Sequence, residues 1–212
     1  MNLIIDRLEN IKSLINNSNV KIIAVSKTFP YEQIYPLIDY GHLHFGENKV
    51  QEALSKWALI KEKKPNINLH MIGKLQSNKA KEAVKLFDYI HSLDSQKLAN
   101  ILSKQEKNTN KKLKYFIQVN IGNEKQKSGI GIDILDDFYY YCTRELKINI
   151  IGLMAIPPND GSEEIYFKKL MELNKLLGLT ELSMGMSSDF KIALNYETTF
   201  VRIGSSIFGS RS

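Results

Sequence analysis

Apolar residues fall along this chain in two alternating rhythms. The opening stretch places Ile4, Leu8, Ile11 and Ile15 on one face, the spacing of three and four that a surface helix needs to cover a core. A short continuous apolar run follows at Ile22–Val25, and similar runs recur at His42–Phe45, Leu69–Ile72, Tyr89–Leu93, Tyr115–Val119 and Ile148–Met154, with two weaker ones at Leu182–Met184 and Phe200–Ile203. Runs this short and mainly apolar read as buried strands. Between them lie longer amphipathic stretches. Val50, Ala53, Leu54 and Trp57 share a face within 48–60, and Leu98, Ile101 and Leu102 do so after Asp94. Asp160 with Glu163 forms a candidate capping pair ahead of Phe167, Leu170, Leu173 and Leu177.

Strict alternation of strand and helix implies parallel strands joined by crossover helices. Eight such units predict an α/β fold, a single (β/α)8 TIM-type barrel spanning residues 1–212, with the first helix as an extra element. At 212 residues the units average about 26 each, which leaves little room for a lid or a second domain. Pro36 conflicts locally with the helix expected after the first strand, because proline removes a backbone donor and crowds the preceding turn. A late start or a bend in that helix would accommodate it.

Composition narrows the class of protein. Hydrophobic residues make up 43% of the chain, enough for a packed core and too many for a disordered or collagen-like chain. Cys142 is the single cysteine, so no internal disulfide forms, which favours a reducing compartment. Asp6, Arg7, Glu9 and Lys12 interrupt the N-terminus as a signal peptide, and no apolar stretch approaches a membrane span. A cytoplasmic protein is expected. The net charge of +6 comes from 29 basic against 23 acidic residues; the lysines are spread out, with small clusters at Lys61–Lys64, Lys74–Lys85 and Lys104–Lys114. They read as solvated helix faces, with some attraction for an anionic small molecule; no basic ribbon interleaved with aromatics points to nucleic acid.

In a barrel of this kind the chemistry sits beyond the C-terminal ends of the strands. The first strand runs into Ser26, Lys27 and Thr28. Desolvation at a strand end favours a neutral amine, a nucleophile toward carbonyls, although a lysine there can also snorkel to solvent. The second strand leads to Asn48, either a donor–acceptor partner for a ligand oxygen or a helix N-cap. The seventh runs into Gly185, Met186 and Ser187, and the eighth into Gly204, Ser205 and Ser206. Two strand–small residue–hydroxyl–helix turns on adjacent strands can aim amides and hydroxyls at one phosphate, or they can be ordinary caps. Arg202 would point into the mouth, and its place between Val201 and Ile203 argues against a surface ion pair. A lysine, a phosphate cradle and a group facing a ring nitrogen suggest pyridoxal 5′-phosphate. Arginine cannot accept a proton, so that nitrogen would stay unprotonated and the ring would draw electrons less strongly.

The segments 24–28, 45–52, 72–79, 182–189 and 201–209, with Gln118–Asn120, Lys127–Gly129 and Gly152–Met154, resemble in order and spacing the pyridoxal phosphate homeostasis family (the YggS/PROSC type). The likeness runs from about Lys21 to Arg211. It implies a barrel like the N-terminal domain of alanine racemase, with pyridoxal 5′-phosphate bound as a covalent imine on Lys27. It implies Asn48 as a contact to the ring, Arg202 as partner of the pyridine nitrogen, and Ser187, Gly204 and Ser205, with Met186, around the phosphate. Position 205 is often threonine in the family; Ser205 keeps the hydroxyl.

The family is understood as a carrier or regulator in vitamin B6 homeostasis without an established turnover reaction. The expected partners are the cofactor, amino acids and apoenzymes that accept it, and a monomer is expected. Racemases take an acid/base tyrosine from a second domain. This chain stops at Ser212, and Tyr139–Tyr141 reads as a helix face. No catalytic residue and no metal ligand is assigned. The alternatives are a minimal amino-acid racemase using the same cofactor, a Schiff-base aldolase acting on a phosphorylated sugar, and an adaptor using only the barrel surface.

Overall fold

The computed structural model describes residues 2–124 and 126–209; Ser210 and Arg211, at the end of the stretch carrying the family resemblance, lie outside the described residues. Eight strands are hydrogen-bonded in chain order, all parallel, into a closed barrel: β1 (Lys21–Val25), β2 (His44–Glu47), β3 (Asn68–Met71), β4 (Tyr89–Leu93), β5 (Lys114–Gln118), β6 (Ile150–Met154), β7 (Glu181–Met186) and β8 (Phe200–Ile203). Closure comes from β1 against β8, with Lys21 opposite Phe200 and Ala24 opposite Ile203. The described α-helices are α1 (Leu3–Ile15), α2 (Tyr31–Asp39), α3 (Val50–Lys63), α4 (Ala80–Leu86), α5 (Gln96–Thr109), α6 (Leu135–Tyr140), α7 (Glu163–Leu176), α8 (Phe190–Ala193) and α9 (Ser205–Phe208). The fold is the (β/α)8 barrel the alternation predicts, with α1 as the added helix.

The short last helices explain the extra first one. With α9 reduced to four residues, the outer ring would be thin behind β8. The helix α1 packs against both α9 and α2 and fills that place, burying Leu8, Ile11 and Ile15. Asn2 caps its start by accepting from the Ile4 amide.

Three local expectations change. The second strand begins at His44, two residues later than the apolar run, because His42 Nε2 bonds the His44 carbonyl across the preceding turn. The helix α7 starts after Ser162 without a side-chain cap. Asp160 instead accepts from the Ser162 amide at 2.9 Å and the Tyr166 hydroxyl at 3.1 Å, closing a turn upstream. Pro36 lies in the second turn of α2, which starts promptly at Tyr31. The carbonyl deprived of its donor belongs to Glu32, an exposed residue where water can take over.

Two core layers result. Between strands and helices lies a large layer that includes Phe45, Trp57, Phe87, Phe167 and Leu170, each fully buried. Inside the barrel is a separate small cluster of Ile23, Tyr89, Phe116, Met154 and Phe200. His70 and His91, also fully buried, stack on the Tyr89 and Phe116 rings at 4.2 and 4.3 Å.

Candidate binding site at the barrel mouth

A cavity of about 500 Å³ opens at the C-terminal ends of the strands. Lys27, Asn48, Met186, Ser187, Arg202, Gly204 and Ser205, the residues singled out in the sequence, all line it. They come from the ends of four strands, β1, β2, β7 and β8, so only barrel closure brings them together. Ile72 and Ile156 supply apolar wall.

A buried cluster behind the wall fixes the Lys27 side. Glu47, fully buried at the end of β2, receives on one oxygen the Ser26 hydroxyl at 2.7 Å, the Lys56 ammonium at 2.9 Å and the Trp57 indole N–H at 2.9 Å. Lys56 also donates to the Ser26 carbonyl at 2.8 Å. The residues directly before Lys27 and Asn48 are therefore tied to each other and to α3. Beyond Lys27, Thr28 adopts φ +67°, a left-handed conformation that costs a β-branched residue energy. Its amide donates to the Glu52 carboxylate at 2.5 Å, which helps hold the turn.

Asn48 lies one position before the N-cap of α3, which is Lys49 and carries no side-chain bond, so the capping alternative does not hold. Its side-chain amide has no protein partner among the described residues. Gly73 lets the chain after β3 pass over it: a Cβ there would meet the Asn48 carbonyl oxygen at 2.4 Å.

Arg202 is buried, and its partners among the described residues are neutral oxygens. Nη1 donates to the Ser183 carbonyl and hydroxyl, each at 2.7 Å, and Nη2 to the Ala155 carbonyl at 2.9 Å. Among the described residues it makes no surface ion pair; burial pulls the guanidinium down to about 10, partly opposed by Asp189. Its remaining N–H groups stay available to a cavity ligand that can only accept.

The two serine turns meet beside it. Gly185, at φ +91° and with a Cβ position 2.8 Å from Ala193 Cβ, permits the sharp exit from β7 into α8. The Asp189 carboxylate accepts from the Met186 amide at 2.5 Å and holds that turn. Ser187 Oγ then accepts from the amides of Gly204 at 3.3 Å and Ser206 at 3.5 Å. Long bonds to two amides at one point are the donor geometry that a phosphate oxygen would strengthen.

A profile of the alanine racemase N-terminal domain matches residues 2–212. The pyridoxal phosphate homeostasis protein of Aquifex aeolicus is 38% identical over 90% of this chain and 87% of its own. That of Vibrio cholerae is 39% identical over 92% of this chain and 86% of its own. The chain belongs to the pyridoxal phosphate homeostasis protein family. PipY of Synechococcus elongatus, solved with pyridoxal phosphate bound, superimposes with TM-score 0.89 at 35% identity, covering 97% of this chain and all of PipY. An alanine racemase of Clostridium difficile shares the fold alone, with TM-score 0.75 at 15% identity over 99% of this chain and 57% of the racemase.

Two motifs distant from the cavity are structural. Gln118 Nε2 donates to the Ser128 carbonyl at 3.2 Å, and Asn120 and Ile130 pair through their backbones, so the two halves of the motif after β5 fold onto each other. Tyr139 and Tyr140 end α6 and Tyr141 opens a π-helical turn on the outer ring. The Tyr141 hydroxyl bonds Asn100 rather than a cavity group. Among the described residues no helix is long and apolar enough to cross a membrane.

Sequence reasoning missed the supporting residues: Glu47, Lys56 and Trp57 behind Lys27, and Ser183 behind Arg202. Trp57 read as one more apolar helix position, and its indole N–H gave no pattern. Ser183 carried a signal, a polar residue at an inward position of an otherwise apolar strand.

Proposed function

We propose that this chain binds pyridoxal 5′-phosphate at the barrel mouth and holds it through an imine bond to Lys27. As a cytoplasmic, single-domain monomer, it serves vitamin B6 homeostasis by keeping the cofactor and handing it on to amines or apoenzymes. The observation that carries this reading is the convergence on one cavity of an amine, a buried donor-only guanidinium and two serine turns. The residues fit the group: Lys27 meets its aldehyde, Asn48 its ring, Arg202 its ring nitrogen, and Ser187, Gly204 and Ser205, with Met186, its phosphate. The names of the relatives and the pyridoxal phosphate in PipY support the same reading.

In forming the bond, Lys27 Nζ adds to the aldehyde carbon and the aldehyde oxygen departs as water. When bound, the cofactor supplies a carbon that an incoming amine can take over from the lysine. Arg202 donates and cannot protonate the ring nitrogen, which gives a weaker electron sink than a carboxylic acid partner would. That favours holding and exchange over reactions that build charge on the ring.

Titration with pyridoxal 5′-phosphate, followed by the imine absorption band, tests the reading. One equivalent of band in the native protein and none in Lys27→Ala is expected. A Lys27→Ala protein that keeps the band at the same stoichiometry overturns the assignment. Inversion of single-enantiomer alanine that disappears in Lys27→Ala would favour the racemase alternative instead.

A further inference from the structure

All four histidines of the chain lie on β2–β4 or the turn before them, and three of them run in file through the barrel. From the mouth downward, Arg202 Nη1 donates to Ser183 Oγ at 2.7 Å, and Ser183 Oγ lies 2.9 Å from His91 Nδ1. His91 Nε2 lies 2.8 Å from His70 Nδ1, and His70 Nε2 lies 3.0 Å from His44 Nδ1. His44 reaches a second cavity of about 700 Å³ at the N-terminal ends of the strands, lined also by Lys12, Tyr40 and His42. The imidazoles are in series rather than convergent, and no group of described side chains could hold a metal.

The donor at the top sets the direction of the whole file. A guanidinium can only donate, so Ser183 Oγ accepts from it. The Ser183 hydroxyl is fully buried and has one other partner among the described residues, His91 Nδ1. Its own hydrogen must go there or remain unmet. His91 Nδ1 is then an acceptor and Nε2 carries the hydrogen, which makes His70 Nδ1 an acceptor in turn, and likewise His44 Nδ1. Burial keeps His70 and His91 neutral, which this arrangement requires.

We propose that Ser183, His91, His70 and His44 are positioning residues for Arg202, forming a one-directional file of neutral Nε2–H imidazoles with every lone pair turned toward the guanidinium. The file does two things. It sets the rotation of Arg202 through Nη1, and its aligned dipoles place negative ends toward a buried cation that has no carboxylate in contact among the described residues. The consequence for the ring nitrogen of a bound cofactor rests on the function proposed above; the file itself does not.

Nitrogen NMR of the imidazoles and of the Arg202 side chain in the ligand-free protein at neutral pH tests the file directly. The expected result is His44, His70 and His91 all protonated on Nε2 and bare on Nδ1. An Nδ1–H tautomer or an imidazolium at any of the three overturns the proposal. In Ser183→Ala, Arg202 N–H exchange should quicken about tenfold and His91 should lose its single tautomer, with Ser183→Thr restoring both. Should Ser183→Ala not fold, His70→Phe cuts the file below His91: His91 should stay protonated on Nε2, held by Ser183 above it, while His44 loses its single tautomer. Unchanged Arg202 exchange in Ser183→Ala refutes the positioning role, and loss of the His91 Nε2–H tautomer or an unchanged single tautomer at His44 in His70→Phe refutes a file directed from Arg202. These readings need no cofactor, so failure of the binding reading would leave them standing. In the loaded protein Ser183→Ala should also shift the imine band, and Ser183→Thr should not.

Discussion

The two sides of the barrel wall solve the burial problem differently. Outside, between strands and helices, the space is filled by large aliphatic and aromatic side chains such as Phe45, Trp57, Phe167 and Leu170. Inside, where barrels of this kind pack layers of Val, Ile and Leu, this chain places His70, His91, Ser183 and Arg202 among Tyr89, Phe116 and Phe200. Apolar packing is forgiving of chemistry and sensitive to volume. A buried polar file is the reverse, since each member depends on the hydrogen bond made by the next. The outer layer thus serves mainly stability, and the inner one links stability to the state of the mouth.

The largest effect is expected in the outer layer. Phe167→Ala should cost about 3–5 kcal/mol, lowering Tm by about 6–20 °C, with cofactor binding per folded molecule unchanged. Calorimetry and titration on the same sample check both parts. A loss of binding at temperatures where the variant is fully folded would erase the contrast between the layers.

Next comes the seam between them. Lys56→Met leaves the Glu47 carboxylate buried without its cation, which should cost ~3 kcal/mol. Glu47→Gln added to Lys56→Met should recover much of that loss in urea unfolding. An additive double variant would show that the pair does not act as a unit.

Acid should single out the interior and the turn beneath it. Burial lowers His42 and His44 to about 4, and His70 and His91 well below the ordinary 6.5. Below 6.5 the unfolded chain binds protons that the folded chain refuses, so stability falls as pH drops from about 6.5 toward 4. The slope is about 1.4 kcal/mol per pH unit for each such histidine. Urea midpoints between pH 5 and 7 measure it, and His44→Gln should flatten the slope by one histidine's share. A midpoint independent of pH in that window would contradict a neutral interior. At the small end, Lys175→Ala breaks an exposed pair with Glu197 and should change stability by less than about 0.5 kcal/mol.

The same contrast explains what could be read from the chain beforehand. The outer layer announces itself through periodicity: Leu8, Ile11 and Ile15 on α1, or Phe167 and Leu170 on α7, are where spacing places them. The mouth was legible because turn chemistry is local, as with Ser187 after Gly185 or Ser205 after Gly204. The capping pair at Asp160 and Glu163 was misplaced because Asp160 found a nearer amide, that of Ser162. The file from Arg202 to His44 was invisible, because its partners lie up to 92 residues apart and only barrel closure puts them in contact. His70 and His91 looked like strand residues of unremarkable polarity until neighbouring strands gave each a partner.

The most direct test of the site is borohydride reduction of the protein with one equivalent of pyridoxal 5′-phosphate, followed by peptide mass mapping. A single stoichiometric pyridoxyl adduct on the peptide carrying Lys27 is the expected result. Adduct scattered over Lys61–Lys64 and other surface lysines, or no adduct, would contradict the imine and the roles assigned around it.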